Sequence, residues 1–435
     1  MRNKLYIVLA FHILLLLFQL SFRQLFFDTT FVRDFGLFLM CFIYIGSKKE
    51  HYNNNDTVIK MVKIYMLYGI LMSIVHVLDG EDVLNVIVIY RNHFFPFILF
   101  FIALYLFQDF RYRKKWVDFL FVVFLILLVD VYVEKLMEIT GISREILPWY
   151  RYQFAHYYRF TEDDAGLRIV TNPENSPVLG LLGWNNPTSC AIAALFSFFI
   201  PFLLKPGAHS LNLPKVAQLS AFSRIMIFIL TIGALAILTI KTPFAAIAVV
   251  FFLYMFKEGN KSSLKIIIVV TVITALIAYL SFPYWGETYM ELAEETKGEH
   301  GMSYIFDQGL IIALLGAAFG GSPLAFFFGT DISNNSLYSM LEVRIIVHTI
   351  QFGILWLFIY GAITIGGIKS FNRIRKSNVD YIDRLIATGA YLLIISYLVD
   401  FLHYAHAMFL FHLDILVVSI ALIVSIGKRR KIYEN

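Results

Sequence analysis

The sequence predicts an all-α, polytopic integral membrane protein with about twelve transmembrane helices. Three observations carry that expectation. Hydrophobic residues make up 59% of the 435 residues and charged ones only 15%, whereas a soluble domain sits near a quarter charged. Segments long and apolar enough to cross a bilayer recur along the whole length, without the short alternating stretches of a β-barrel. Lysines and arginines gather in alternate connections, as the positive-inside rule requires. No hydrophilic block is long enough for a soluble domain, so residues 1–435 read as one membrane domain.

Taken in order, the expected spans are 4–21, 35–46, 61–78, 84–106, 116–139, 187–204, 223–240, 243–256, 264–281, 344–367, 385–401 and 407–426. The first resembles a signal peptide in length, but no small-residue cleavage site precedes Arg23, so it reads as a retained helix. Arg2 and Lys4, then Lys48, Lys49 and Lys60, then Arg111, Arg113, Lys114 and Lys115 mark one side. Lys257, Lys261 and Lys265, the loop 369–376 with Lys369, Arg373, Arg375 and Lys376, and the tail Lys428–Lys431 continue that side. All of them are cytoplasmic if both termini are. The net charge of +5 therefore reports topology and not nucleic-acid binding. Cys41 and Cys190 both fall in apolar segments, which argues against a disulfide framework.

Two long polar loops, 140–186 and 282–343, fall on the opposite, non-cytoplasmic side. The apolar stretch 309–329 inside the second is long enough to span, which would turn the basic loop 369–376 outward. Gly316, Gly320, Gly321 and Pro323 weaken it as a continuous helix, so it reads as a helix lying in, or dipping into, the outer interface.

The first loop carries four arginines, Arg144, Arg151, Arg159 and Arg168. Arginine forks match phosphate oxygens bidentately, so such a loop suits an anionic, membrane-borne substrate. A diphosphate-linked lipid needs two or more such forks, because the leaving diphosphate gains charge as its bond breaks. Arg168 precedes two Asn-Pro turns, Asn172–Pro173 and Asn186–Pro187, where the chain is expected to fold back over the bundle. The plain alternative is that Arg144, Arg151 and Arg159 are solvated or pair with Glu145, Glu162, Asp163 and Asp164.

Arg91 lies inside the fourth span, where a mid-span arginine costs about 2.5–3.5 kcal/mol. It either meets a polar cavity or partner, or snorkels from the outer end. Glu342, Arg344 and His348 enter the tenth span within two turns, Arg344 and His348 on one face. A partly desolvated carboxylate at that mouth can act as a general base, or the Glu–Arg pair simply anchors the helix. Lys241, at the break before Pro243, is either a second phosphate contact or a loop charge. Asp400, His403 and His406 offer only three ligand candidates, running into a loop, and suit a hydrogen-bonding rim better than a metal. No phosphate-binding glycine-lysine loop, His-Glu-x-x-His motif or serine elbow occurs.

The Arg168 segment with its Asn-Pro turns, and the phrase from Phe328-Gly329-Thr330 through Glu342 to Gly353-Ile354, resemble the O-antigen polymerase (Wzy) and O-antigen ligase superfamily. The likeness covers the layout of most of the chain, through loose motifs. It implies a GT-C-type helical bundle in the bacterial inner membrane. It also implies glycan transfer from an undecaprenyl-diphosphate carrier on the periplasmic face, without cofactor or metal. A chain-length regulator and a flippase of the same pathway are the implied partners. On that resemblance Arg168, Arg91, Arg344 and Lys241 hold the donor diphosphate, and Glu342, or His348, takes the acceptor's proton.

Two departures matter. Counting eleven back from Gly353 lands on Glu342, where the ligase carries histidine, and Trp356 stands where the motif's second glycine belongs. That favours polymerase over ligase. Asp331 replaces the last glycine of an "FGTG" phrase and adds a carboxylate. Two other classes stay open: a transporter or flippase, which would place its charges at the midplane between repeat halves, and a structural protein of a glycan-assembly complex.

Overall fold

The computed structural model describes residues 1–25, 30–46, 56–151, 178–204, 213–238, 240–258, 323–329, 344–401 and 410–433, and among these every regular element is a helix. They are α1 (Arg2–Leu17), α2 (Gln19–Leu25), α3 (Thr30–Ile45), α4 (Thr57–Leu78), α5 (Val83–His93), α6 (Ile98–Leu106) and α7 (Phe110–Ile139). There follow α8 (Asn185–Leu204), α9 (Ala221–Leu238), α10 (Lys241–Glu258), α11 (Pro323–Phe328), α12 (Arg344–Arg375), α13 (Tyr381–Phe401) and α14 (Leu410–Tyr433).

Eight of the described helices are long and apolar enough to cross a membrane, α5 and α6 counting as one, and nine if α1 and α2 form a single span bent by 72°. The chain is thus a multi-pass helical membrane protein. The bend falls inside the first expected span, 4–21. Two shorter apolar helices, Asp34–Ile45 and Thr242–Lys257, occupy the second and eighth expected spans. The expected span 264–281 and most of both long loops lie outside the described residues.

Local sequence explains the helix starts. Asp56, Asp82 and Asp109 each accept a hydrogen bond from a first-turn amide, of Val58 (2.9 Å), Asn85 (3.2 Å) and Arg111 (2.9 Å). Asn186–Pro187 is not a turn but the first residues of α8. Proline suits a helix's first turn, where its missing N–H loses no intrahelical bond.

α8, α13 and α14 form the buried centre. α8 packs along α13, where the backbone at Gly389 lies against the Phe198 carbonyl, the close approach that small residues allow between membrane helices. α14 packs on α6, α12 and α13. The surrounding helices expose apolar stripes at helical spacing, such as Ile64, Leu67, Leu71, Ile74 and Leu78 on α4 and Val122, Leu125, Val129, Val133 and Leu136 on α7. Such stripes are the surface that a bilayer covers.

Both termini lie at one end of the bundle. Arg2 reaches Gln108 (3.0 Å), Tyr6 reaches the Lys115 carbonyl (2.9 Å), and Ser425 lies beside the Phe107 carbonyl. Arg111, Arg113, Lys114 and Lys115 start α7 at that end, and Lys257 and Arg375 meet there (Arg375 to the Lys257 carbonyl, 3.2 Å). The stretch 369–376 is therefore largely the last turns of α12 and not a loop; long basic side chains let a helix continue past the apolar layer.

Arg113 and Asp383 pair at 2.8 Å with both side chains almost fully buried, clamping α7 to α13. Breaking a buried ion pair by removing one member costs about 3–5 kcal/mol. Arg113→Ala is expected to lower the unfolding midpoint in detergent strongly, and the double change Arg113→Met with Asp383→Leu to recover most of it. Equal melting of Arg113→Ala and wild type would mean the pair is idle.

Candidate functional site

Toward the end opposite the termini, two broken helices meet, α5–α6 near the middle of its span and α12 nine residues from its start. α5 gives way to a 3-10 turn at Phe95–Phe97, because Pro96 lacks an N–H and its ring clashes with the carbonyl one turn back. α12 breaks at Gly353, whose φ of 77° and ψ of 167° no side-chain-bearing residue adopts without strain. The breaks touch: Phe94 packs edge-on against Phe352 (5.7 Å) and His93 lies 5.1 Å from the same ring.

The short helix α11 ends at Gly329 (φ 87°) directly on the break. A Cβ on Gly329 would run into the Gln351 carbonyl, and one on Gly353 into the Phe327 carbonyl. The two glycines thus let two backbones cross at contact distance. α4 closes the crossing. Its Tyr68 hydroxyl meets the carbonyls of Phe327 (2.9 Å) and Phe352, and His76 Nε2 lies 3.1 Å from the Phe328 carbonyl. Trp356, in place of the expected glycine, is fully buried and donates to the Tyr65 hydroxyl (3.0 Å).

His348 sits five residues before the break, half-buried. Its Nδ1 meets Gln351 Oε1 at 3.3 Å, its ring stacks on Phe352 (5.6 Å) and it faces His93 (5.9 Å). Two residues from His93, Arg91 pairs with Asp34 of α3 at 3.2 Å, both half-buried. Arg91 thus has a carboxylate partner, Asp34. Arg344 and Lys241 are the first residues of α12 and α10, their side chains lying outside what is described. Arg168, Asp331 and Glu342 lie outside the described residues, as do His403 and His406. Asp400 is buried on α13 beside Cys190. Among the described residues no group of three His, Cys, Asp or Glu side chains is placed to hold a metal.

The beginning and end of the first long loop are tied to α7. Arg144 is buried, not solvated, between Glu134 (3.7 Å) and Glu138 (3.5 Å), and stacks over Tyr150 (4.9 Å). Glu134 also accepts the amides of Leu179 (2.7 Å) and Gly180 (2.9 Å). Intramembrane carboxylates rarely lack a task, so Asp130 and Glu134 within the apolar run of α7 were a signal in the sequence. Asp34 gave less, standing one residue before an expected span.

No known protein family, curated protein or solved structure was found to match the chain.

Proposed function

We propose that this protein is a membrane polysaccharide polymerase of the O-antigen or exopolysaccharide type. It transfers the growing glycan from an undecaprenyl-diphosphate carrier to a lipid-linked repeat unit at the periplasmic face of a bacterial inner membrane. The observation that carries the reading is the crossing of Gly329 with Gly353. The two halves of the family-like phrase are 24 residues apart in sequence (353 − 329) yet in backbone contact. The same crossing lies beside His348 and His93, whose rings both pack on Phe352. Glu342 stands two residues before α12, the position from which it would take the acceptor's proton. Arg168, Arg91, Arg344 and Lys241 would hold the diphosphate, with Asp331 a further carboxylate, in a GT-C-type bundle of about twelve spans.

The basic end of the bundle is then cytoplasmic and the broken-helix end periplasmic. Cysteines introduced at Glu162 and Glu294, in a chain lacking Cys41 and Cys190, are expected to react with an impermeant thiol reagent in outer-membrane-permeabilised cells. Protection of either would overturn the orientation.

Arg168→Lys tests the chemistry. Lysine keeps the charge and loses the planar fork. Removing one charged contact to a developing oxyanion costs about 2–4 kcal/mol, or roughly 30- to 1,000-fold in rate. Glycan ladders in cells should collapse to short products while the protein still inserts; normal ladders would make Arg168 a surface charge.

A further inference from the structure

Three hydrogen-bond contacts from α4 end on carbonyls of two other segments. Tyr68 serves Phe327 and Phe352, and His76 serves Phe328. These carbonyls border the two positive-φ glycines, where the chain leaves the helical ladder. Carbonyls freed by a break inside a membrane must find donors elsewhere in the protein. A carbonyl only accepts, so His76 carries its proton on Nε2, and Tyr68 shares one proton between two acceptors. Tyr68 and His76 are eight residues apart, two turns, on one face of α4. The Tyr68 ring also stacks on Phe328 at 5.8 Å.

We infer that Tyr68 and His76 are positioning residues, a two-point latch from α4 that pins the Pro323–Gly329 segment onto the break in α12. The latch sets the end of the 344–352 segment, which carries His348 and begins two residues after Glu342. The consequence for turnover rests on the glycan-transfer reading; the latch itself does not.

Two measurements on the full-length protein in nanodiscs test this: hydrogen–deuterium exchange, and polymerisation of lipid-linked repeat units. Tyr68→Phe keeps the ring and its stack and removes the hydroxyl. It should speed exchange within 323–329 and 350–356 while leaving the melting temperature near wild type. It should also lower kcat roughly 3- to 20-fold at unchanged KM, the span of one hydrogen bond between membrane helices. His76→Ala should do the same, and His76→Gln, which restores an N–H donor, should rescue it. Unchanged exchange in both segments, or loosening spread over the whole bundle with a lowered melting temperature, overturns the latch. Faster local exchange with wild-type kcat overturns its positioning role. If the wild-type protein makes no polymer, the proposed function falls, and the exchange result still decides the latch.

Discussion

Gly353→Ala is expected to reduce polymer formation by roughly 100-fold or more. The native φ of 77° with ψ of 167° belongs to a region essentially restricted to glycine, and strain there costs about 1–3 kcal/mol. The new methyl would also strike the Phe327 carbonyl, which is backbone of a helix end and cannot swing aside. At 1.36 kcal/mol per tenfold, strain and clash together reach the stated effect. Gly361→Ala is the control. It lies on the same helix with open space around its position, so alanine there should be neutral or slightly stabilising. Ladder formation and the amount of inserted protein, measured for both variants, separate the cases. If Gly353→Ala behaves like Gly361→Ala, the broken helix is not required for function.

Glu342→Gln should lower turnover by roughly 100- to 10,000-fold with donor binding intact, the usual contribution of a general base. Glutamine keeps the size and hydrogen bonding of the side chain and removes its basic oxygen. His348 is the competing base, and it is well placed, with Gln351 on Nδ1 and His93 across from it. Single-turnover assays of Glu342→Gln and His348→Ala decide between them. Polymerisation retained in the first and abolished in the second would move the base to His348 and bring back ligase-like histidine chemistry.

How much could be read from the sequence varies with the physics of each feature. The apolar runs announced the spanning helices, because a bilayer demands length and hydropathy that composition records directly. The spans expected from 61, 84 and 187 begin within four residues of the observed helix starts at Thr57, Val83 and Asn185. The break in α12 was not legible. Glycine in an apolar run is compatible with a continuous membrane helix, and the positive φ of Gly353 follows from a crossing with Gly329. The latch from α4 was equally hidden, since Tyr68 and Phe352 are 284 residues apart. Arg91 was singled out by its cost in a span, but Asp34, 57 residues away, emerged only from packing. Arg144 looked like a solvated loop charge because its carboxylate partners belong to the preceding helix.

Glycan transfer can be measured by purifying the full-length protein, reconstituting it in proteoliposomes, and supplying undecaprenyl-diphosphate-linked repeat units without nucleotide or added metal. Glycan transfer predicts a ladder of lipid-linked products, each longer by one repeat unit, that is lost in Glu342→Gln and sharply reduced in Arg168→Lys. Repeat units that remain single, or that cross the membrane without being joined, would contradict it.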